Sequence, residues 1–421
     1  MKRLFYTLLF CLPCVLIACG GSDDTLGGDD NPPVVVPPDE ETVDSRLLYN
    51  GIRLPEQWPP VRSSSSELEK GMSPFYLSNK PSVINISVGR QLFVDNFLIE
   101  STNLKRTFYY PEYYSGNPIL TPEQDWEKTG TKGAAFAAPF SDGVWYDEKE
   151  GKYKMWYMAG GGSYATNGAG ITCYAESTDG IRWTKPTLSI VAGTNIVDYN
   201  SERDASVIWM DKQESNASKR YKMFLVARES GKWRYHYKTS PDGKVWRAAA
   251  QSEPIADRST VYKNPFRNVW VYSMRHNVRV NANKLVRARD YNENADPEAG
   301  TKKAEALLSA FWFGPWANEQ RHTDYPNIAP AIYNQDATPY ESIMLGFFSV
   351  WQGPENDVCA SDNVIKRNQV MVGYSRDGYS WFREDMNPFH AVNTTTSDAW
   401  NQGNLQSVAG APLIVGDKLY F

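Results

Sequence analysis

Histidine is scarce in this 421-residue chain: there are four, His236, His276, His322 and His390, and no two stand at the spacing of a metal-ligating pair. A zinc centre built on histidines is therefore not expected. Of five cysteines, Cys11, Cys14 and Cys19 crowd into the first nineteen residues. Only Cys173 and Cys359 remain for a fold, enough for one disulfide and too few for a disulfide scaffold. Basic surplus is missing too, with 44 Lys and Arg against 49 Asp and Glu, a net charge of −5 and a pI near 5.6. Phosphate binding needs clustered positive charge, so nucleic acid is excluded as a partner. Aromatic residues, by contrast, are plentiful at 13%, with 14 Trp. They suit an all-β protein and suit sugar binding equally well.

One short device recurs through the chain. Ser177-Thr178-Asp179-Gly180-Ile181-Arg182-Trp183 returns as Ser240-Pro241-Asp242-Gly243-Lys244-Val245-Trp246 and again as Ser375-Arg376-Asp377-Gly378-Tyr379-Ser380-Trp381. Each copy follows a β-rich run. The Asp accepts from turn amides and the Gly supplies a positive φ, so each copy predicts a hairpin turn with the Trp packed on the return strand. The first two copies are 63 residues apart and the last two 135, close to two such steps. That interval predicts a worn copy between them, which we assign to Arg289-Asp290-Tyr291.

The N-terminus speaks to location. Lys2 and Arg3 precede an apolar run from Leu4 to Ile17 that is too short to span a bilayer and ends in Leu16-Ile17-Ala18-Cys19. Residues 1–18 resemble a bacterial lipoprotein signal peptide, which implies lipidation of Cys19. Residues 19–45 read as an acidic, proline-rich tether. An acidic run just after the lipidated Cys resembles the surface-export signals of Bacteroidota lipoproteins. The expected location is the outer membrane, facing the surface or the periplasm.

Residues 46–421 are expected to hold one domain, with an irregular surface segment over 46–82. Laid over one another, four blocks share a plan of first strand, turn, second strand, third strand and hairpin motif. The first block has Ala138 to Tyr146 and Tyr153 to Met158; the second, Ala205 to Met210 and Tyr221 to Val226. The third has Thr260 to Tyr262, Val269 to Met274 and Leu285 to Arg289; the fourth, Ala329 to Tyr333 and Tyr340 to Phe348. A fifth begins at Ala411 to Val415, and its second strand runs out at Phe421. Four-stranded units of this length that repeat radially are β-propeller blades. The prediction is an all-β, five-bladed β-propeller whose last blade is incomplete in this chain, with a strand from Val83 to Glu100 as the alternative means of closing the ring.

First strands of a propeller all begin at one mouth of the central channel, so acids at their heads face one another. Asp204 heads the second block, Asp257 the third and, at a little distance, Asp324 the fourth. Paired carboxylates around a sugar-sized pocket are what glycosidic cleavage needs, one protonated for the leaving oxygen and one ionised. Second strands end at the same mouth, which brings in Arg228, Glu229, Arg275 and His276. Arg228 and Arg275 could hold sugar hydroxyls or a carboxylate, or form salt bridges with Asp204 and Asp257. A further acid is expected from Asp95, alone in an apolar stretch, with Glu127 as the other choice. Trp316 and Trp351 are candidate stacking platforms. Glu341 falls at the opposite end, where Tyr340-Glu341-Ser342 overlays Tyr153-Lys154-Met155, and is read as structural. The motif acids Asp179, Asp242 and Asp377 also fall away from the mouth and are read as scaffold.

These features together resemble the five-bladed propeller glycoside hydrolases of families 43 and 32. Leu92-Phe93-Val94-Asp95, Asn117-Pro118-Ile119-Leu120 and Tyr340-Glu341-Ser342 are similar to segments of hydrolases of this type in Bacteroidota and planctomycetes. Arg203-Asp204 matches the Arg-Asp pair of family 32, which implies a transition-state role for Asp204 and substrate contact for Arg203. That family's W-M-N-D-P-N segment and Glu-Cys pair are missing here, which counts against a fructosidase. Family 43 implies an Asp base, an Asp modulator and a Glu acid at successive heads, yet Asp257 stands where the Glu would be. Sialidase boxes place a residue between Asp and Gly and are set aside. The expectation is a monomeric, lipid-anchored glycoside hydrolase using Asp204, Asp257 and Asp95, with a carbohydrate as its partner, no cofactor and a structural Ca2+ left open. A non-catalytic glycan-binding propeller is the alternative.

Overall fold

A computed structural model describes residues 44–129, 134–165, 170–281, 284–306, 308–389, 391–394, 399–408, 410 and 412–421. Cys19 and the tether up to residue 43 lie outside the described residues. Antiparallel strands dominate. In the first unit β1 (Ala137–Ala138) and β2 (Val144–Asp147) are two pieces of one first strand, and both pair with β3 (Lys152–Ala159), followed by β4 (Gly170–Ser177). The long β5 (Ile196–Met210) then begins as the outer strand of this unit and continues as the first strand of the second, with β6 (Tyr221–Glu229), β7 (Lys232–Ser240) and β8 (Arg247–Gln251). No Gly or Pro interrupts 196–210, so nothing in the chain forces a break between the two units.

The third unit is β9 (Thr260–Asn264), β10 (Val269–Asn281), β11 (Lys284–Asn294) and β12 (Ala310–Phe313). The fourth is β13 (Ala331–Tyr340), β14 (Ile343–Gly353) and β15 (Arg367–Ser375), with a bridge from Tyr374 to Phe382 in the outer place. A two-stranded hairpin follows, β16 (Leu413–Val415) and β17 (Lys418–Tyr420). The strands fall in the four blocks read from the sequence, the first two joined in one eight-stranded sheet, and a two-stranded hairpin follows them. Residues 83–100 form no strand, so the alternative closure through that segment is not what the chain does.

First strands of successive units touch. Ile208 N–H donates to the Asp142 carbonyl at 2.6 Å, Thr260 Oγ1 donates to the Gln335 carbonyl, and Asn334 Nδ2 donates to Ser141 Oγ at 3.2 Å, bringing the fourth unit back to the first. Between them lies a cavity of about 10 Å³ whose lining includes Ser141, Ile208, Val261 and Asp336. Trp156, Trp270, Trp312 and Trp381 are fully buried between units; at about 25 cal/mol per Å² of apolar surface, such rings are the largest single contributors to the core.

The repeated S-x-D-G turn does more than reverse the chain. Ser177 Oγ accepts from Asp179 and Gly180 N–H at 3.1 and 2.9 Å, and Asp179 Oδ1 accepts from Ile181 and Arg182 N–H. The other two copies repeat this pattern. The turn carbonyls are then left to a neighbour: Trp156 Nε1 donates to Gly243 O at 2.7 Å, and Asn264 Nδ2, Tyr262 OH and Trp312 Nε1 donate to the carbonyls of Asp377, Gly378 and Tyr379. The second and third turns are sockets for the preceding unit, whereas in the first Gly180 O accepts from Trp183 Nε1 of the same turn at 3.2 Å. Gly378 (φ +74°) is needed for both reasons, because a Cβ there would meet Asn264 Nδ2 at 2.1 Å.

The worn copy is not at Arg289-Asp290-Tyr291, which sits inside β11. It is Asn294-Ala295-Asp296, where Asn294 Oδ1 accepts from Asp296 N–H at 3.0 Å and Asp296 Oδ1 accepts from Ala299 N–H at 2.7 Å. Asn takes the place of Ser, and a helix over Pro297–Lys303 replaces the Gly and the Trp. Register also corrects Glu341. It occupies the β13–β14 turn at φ +52° rather than a second strand, and its carboxylate is gripped by Arg90 through the backbone N–H (2.8 Å), Nε (2.9 Å) and Nη2 (2.7 Å). Its structural reading agrees with that grip.

Candidate active site

The end at which first strands begin gathers charge. Asp204 lies at a bulge where β5 enters the second unit. Its Oδ2 accepts the Arg258 backbone N–H at 2.8 Å and lies 3.3 Å from Arg258 Nε. Asp257, next to Arg258, forms an ion pair with Arg275 from β10. Burial pushes the Asp257 carboxyl up; Arg275 opposes that and the Asp204 charge adds to it. The Arg258 guanidinium stacks between the rings of Phe140 (5.2 Å) and Tyr333 (5.6 Å). Phe140 (φ 40°) and Arg258 (φ 51°) are both non-glycine residues in the left-handed region. Such conformations cost on the order of 1–3 kcal/mol and concentrate where geometry matters to function. First strands of the first, second, third and fourth units therefore all contribute to one spot.

Several expected site residues go elsewhere. Arg203 is buried and forks onto Asp142 at 2.9 and 3.0 Å, with Thr172 Oγ1 at 2.6 Å, so its guanidinium is engaged inside the first two units. Asp95 is fully buried at the far end, where Arg376 Nε and Nη2 hold it at 3.0 and 2.8 Å; its isolation in an apolar stretch is answered by an ion pair from a distant segment. Glu127 is likewise closed off by Tyr157 OH, Lys185 and two backbone amides. Trp316 is core, 7% exposed, against Phe313 and Phe348 with Arg383 at 4.4 Å over its ring. Arg228 pairs with Glu202, two residues from Asp204 on β5, at 3.3 Å, and Glu229 bonds Gln251; both lie on an exposed hairpin end. Asp324 is exposed in the loop before β13, and among the described residues no contact joins it to Asp204 or Asp257. His276 is half-exposed and its Nδ1 meets Asp290 Oδ2 at 2.7 Å, a bond that raises the imidazole pKa. Cys173 and Cys359 are both free thiols, so the one disulfide the cysteines allowed is not formed.

Arg258, Tyr333 and Asp336 escaped the sequence reading. Asp257-Arg258 mirrors Arg203-Asp204 at the preceding unit's head, and that inverted pairing was the available signal. Asp336 was hidden because Asn334-Gln335-Asp336 ahead of Pro339 looks like a turn; it lies within β13 and borders the central cavity. Burial pushes its carboxyl up to about 7, against hydrogen bonds from Ser141 and Val408 N–H and the charges of Arg289 and Arg258. Among the described residues no group of three or more His, Cys, Asp or Glu side chains is placed to hold a metal ion.

No protein-family profile matches the sequence, and no curated protein matches it. In structure the chain is similar to a candidate glycosidase from Bacteroides thetaiotaomicron, 12% identical over 71% of this chain and 87% of that one, with a TM-score of 0.42. It is similar to the fructofuranosidase of Schwanniomyces occidentalis complexed with fructose, 12% identical over 62% of this chain, with a TM-score of 0.39; it spans 50% of that enzyme's length. It is also similar to an N-acetylgalactosamine deacetylase from F. plautii in complex with blood group B trisaccharide, 11% identical over 65% of this chain and 77% of that one, with a TM-score of 0.38. Glycoside hydrolases recur among these neighbours, beside one enzyme of different chemistry.

Proposed function

We propose that the chain is a glycoside hydrolase built on a five-bladed propeller, anchored by a lipid on Cys19 to the outer membrane and acting as a monomer on an oligo- or polysaccharide. The observation that supports this best is the Asp204–Asp257 pair: two carboxylates from neighbouring units at one mouth, of which Asp257 is raised by burial and by its partner's charge. In this reading Asp257 gives its proton to the glycosidic oxygen as the bond to the anomeric carbon breaks. Asp204, held by Arg258, directs water or its own oxygen at that carbon. Asp336, central and raised, is the third carboxyl in place of Asp95. Among the described residues no helix is long and apolar enough to cross a membrane.

One feature favours the other reading, a glycan-binding module without catalysis: each mouth acid is already engaged by an arginine. A screen of polysaccharides and aryl glycosides with wild type, Asp257→Asn and Asp204→Asn separates the two. Hydrolysis is expected in the wild type and should fall by about 10²–10⁴-fold in Asp257→Asn, the usual contribution of a positioned general acid. Binding without turnover in all three proteins would favour the module, and turnover unchanged in both variants would sink the assignment of these acids.

A further inference from the structure

The mouth holds more positive charge than a neutral sugar requires. Register places Arg275 opposite Arg289 and Asn277 opposite Arg287, so these three arginines share one face of the third unit, the face that meets Asp257. Arg289 is spent internally on Ser273 and the Arg258 carbonyl. Arg258, Arg275 and Arg287 are not. Their Nε atoms are all buried and make no hydrogen bond among the described residues, although Arg258 Nε lies near Asp204. A buried guanidinium N–H without an acceptor costs about 1–3 kcal/mol; Arg62, Arg203, Arg367 and Arg383 also have such an Nε, and what sets Arg258, Arg275 and Arg287 apart is that all three act on one carboxylate, Asp257.

The counter-charges are unequal. Asp204, within β5, faces Arg258, and Asp257, on the connection before β9, faces Arg275. Glu355, the partner of Arg287, is 52% exposed and reaches it only at 3.2 and 3.4 Å. Arg287 stacks at 4.8 Å on Trp351, which fixes the guanidinium plane whether or not Glu355 stays. Asp336, whose charge also bears on Arg258 and Arg289, lies deeper and is pushed toward the neutral form by burial. A side chain that swings into solvent would leave a fixed, planar, donor-rich surface beside the acid pair.

We propose that the mouth takes an acidic carbohydrate, and that a carboxylate on the bound sugar displaces Glu355 and lodges against Arg287 with Arg258 and Arg275 alongside. Planar guanidinium forks match a carboxylate in two-point contact, and such charge-assisted bonds are about twice as strong as neutral ones. The inference rests on the mouth being a carbohydrate site and gives that site a substrate class, a uronate.

The test is calorimetric titration of the wild-type protein with oligogalacturonate, glucuronoxylan and alginate oligosaccharides, each beside its carboxyl-reduced form, and with a sulfated galactan oligosaccharide beside its desulfated form. At least one uronate is expected to bind about tenfold or more tighter than its reduced form, with the advantage shrinking as salt rises. Arg287→Gln should abolish the difference. Glu355→Gln, which removes the competitor, should strengthen uronate binding severalfold, a gain that misfolding cannot mimic. Equal affinity for acidic and reduced forms, or no binding of any uronate, overturns the inference. A preference confined to sulfate overturns its carboxylate, and a difference that survives in Arg287→Gln overturns its residues. Turnover of a neutral glycan without charge preference would leave the hydrolase reading standing and this inference fallen. Charge-selective binding without turnover would do the reverse.

Discussion

Carboxylates at the two ends of these strands live under different rules. At the turn end, Asp179, Asp242 and Asp377 are each closed by amides of their own turn: Asp377 accepts from Tyr379 and Ser380 N–H at 2.8 and 2.7 Å and from Ser375 Oγ at 2.9 Å. Along the channel and at its mouth, Asp204, Asp257 and Asp336 come from different units and rely on side chains as well as distant amides: Asp204 meets the Arg258 N–H and guanidinium of the next unit, Asp257 the Arg275 side chain, and Asp336 the Asn334 side chain and the Val408 N–H. A backbone amide cannot leave without unfolding the turn, whereas an arginine can turn toward a ligand. The first arrangement fixes a fold and the second keeps charge available.

The largest effect expected from this contrast concerns Asp336. Its carboxyl is raised to about 7 in the folded chain, against about 3.9 unfolded. A carboxyl raised on folding adds stability that is fully present below the unfolded value and lost as pH rises through the folded one. Denaturant midpoints followed between about pH 4 and 8 should therefore fall across that window, by up to about 4 kcal/mol from this group. Asp336→Asn should remove most of the slope. A slope unchanged in the variant would mean that the channel carboxyl is as well satisfied as a turn one.

Removing a turn carboxylate should act on stability alone. Asp377→Ala leaves Tyr379 and Ser380 N–H buried without their acceptor in the turn that receives the third unit, and should cost roughly 2–3 kcal/mol. Chemical denaturation would show the loss, and any hydrolysis per folded molecule should be unaltered. A specific loss of turnover in folded Asp377→Ala would erase the distinction between the two ends.

The sequence made the turn end legible because everything there is local. Ser, Asp and Gly at fixed offsets satisfy their own backbone, so the repeat survives as spelling and carries the order of units with it. It misled where one residue type can stand in for another: Asn294 replaces the motif serine, and the worn copy was assigned a few residues too early. The mouth was legible only in part. Asp204 and Asp257 followed from their place at strand heads, and the Arg275–Asp257 bridge was one of two options for that arginine. The burial of Arg203 and Asp95 was not legible because their partners, Asp142 and Arg376, lie 61 and 281 residues away, and no local pattern announces a contact of that range. Trp316 went the same way, since a loop Trp in the core is spelled like a loop Trp on a rim.

The smallest effect is the sharpest probe of the rule. Asp179 is built like Asp377, with two turn amides and a serine hydroxyl, and its carboxyl is held at about 2, chiefly by the Arg182 and Ile181 N–H groups. It differs in exposure, for its turn meets solvent on one side and Val415 on the other, where Asp377 is sealed by Asn264, Tyr262 and Trp312. Water can take over the amides that Asp179→Ala frees, so its melting temperature should fall less than that of Asp377→Ala. The acid side carries the same logic. A carboxyl depressed on folding adds stability above its unfolded value that is lost as pH falls toward the folded one, so the gap between wild type and Asp179→Ala should narrow from about pH 4 to pH 2. If the two alanine variants proved equally costly at neutral pH, the sealing by the preceding unit would count for nothing, and the turns would be hairpins only.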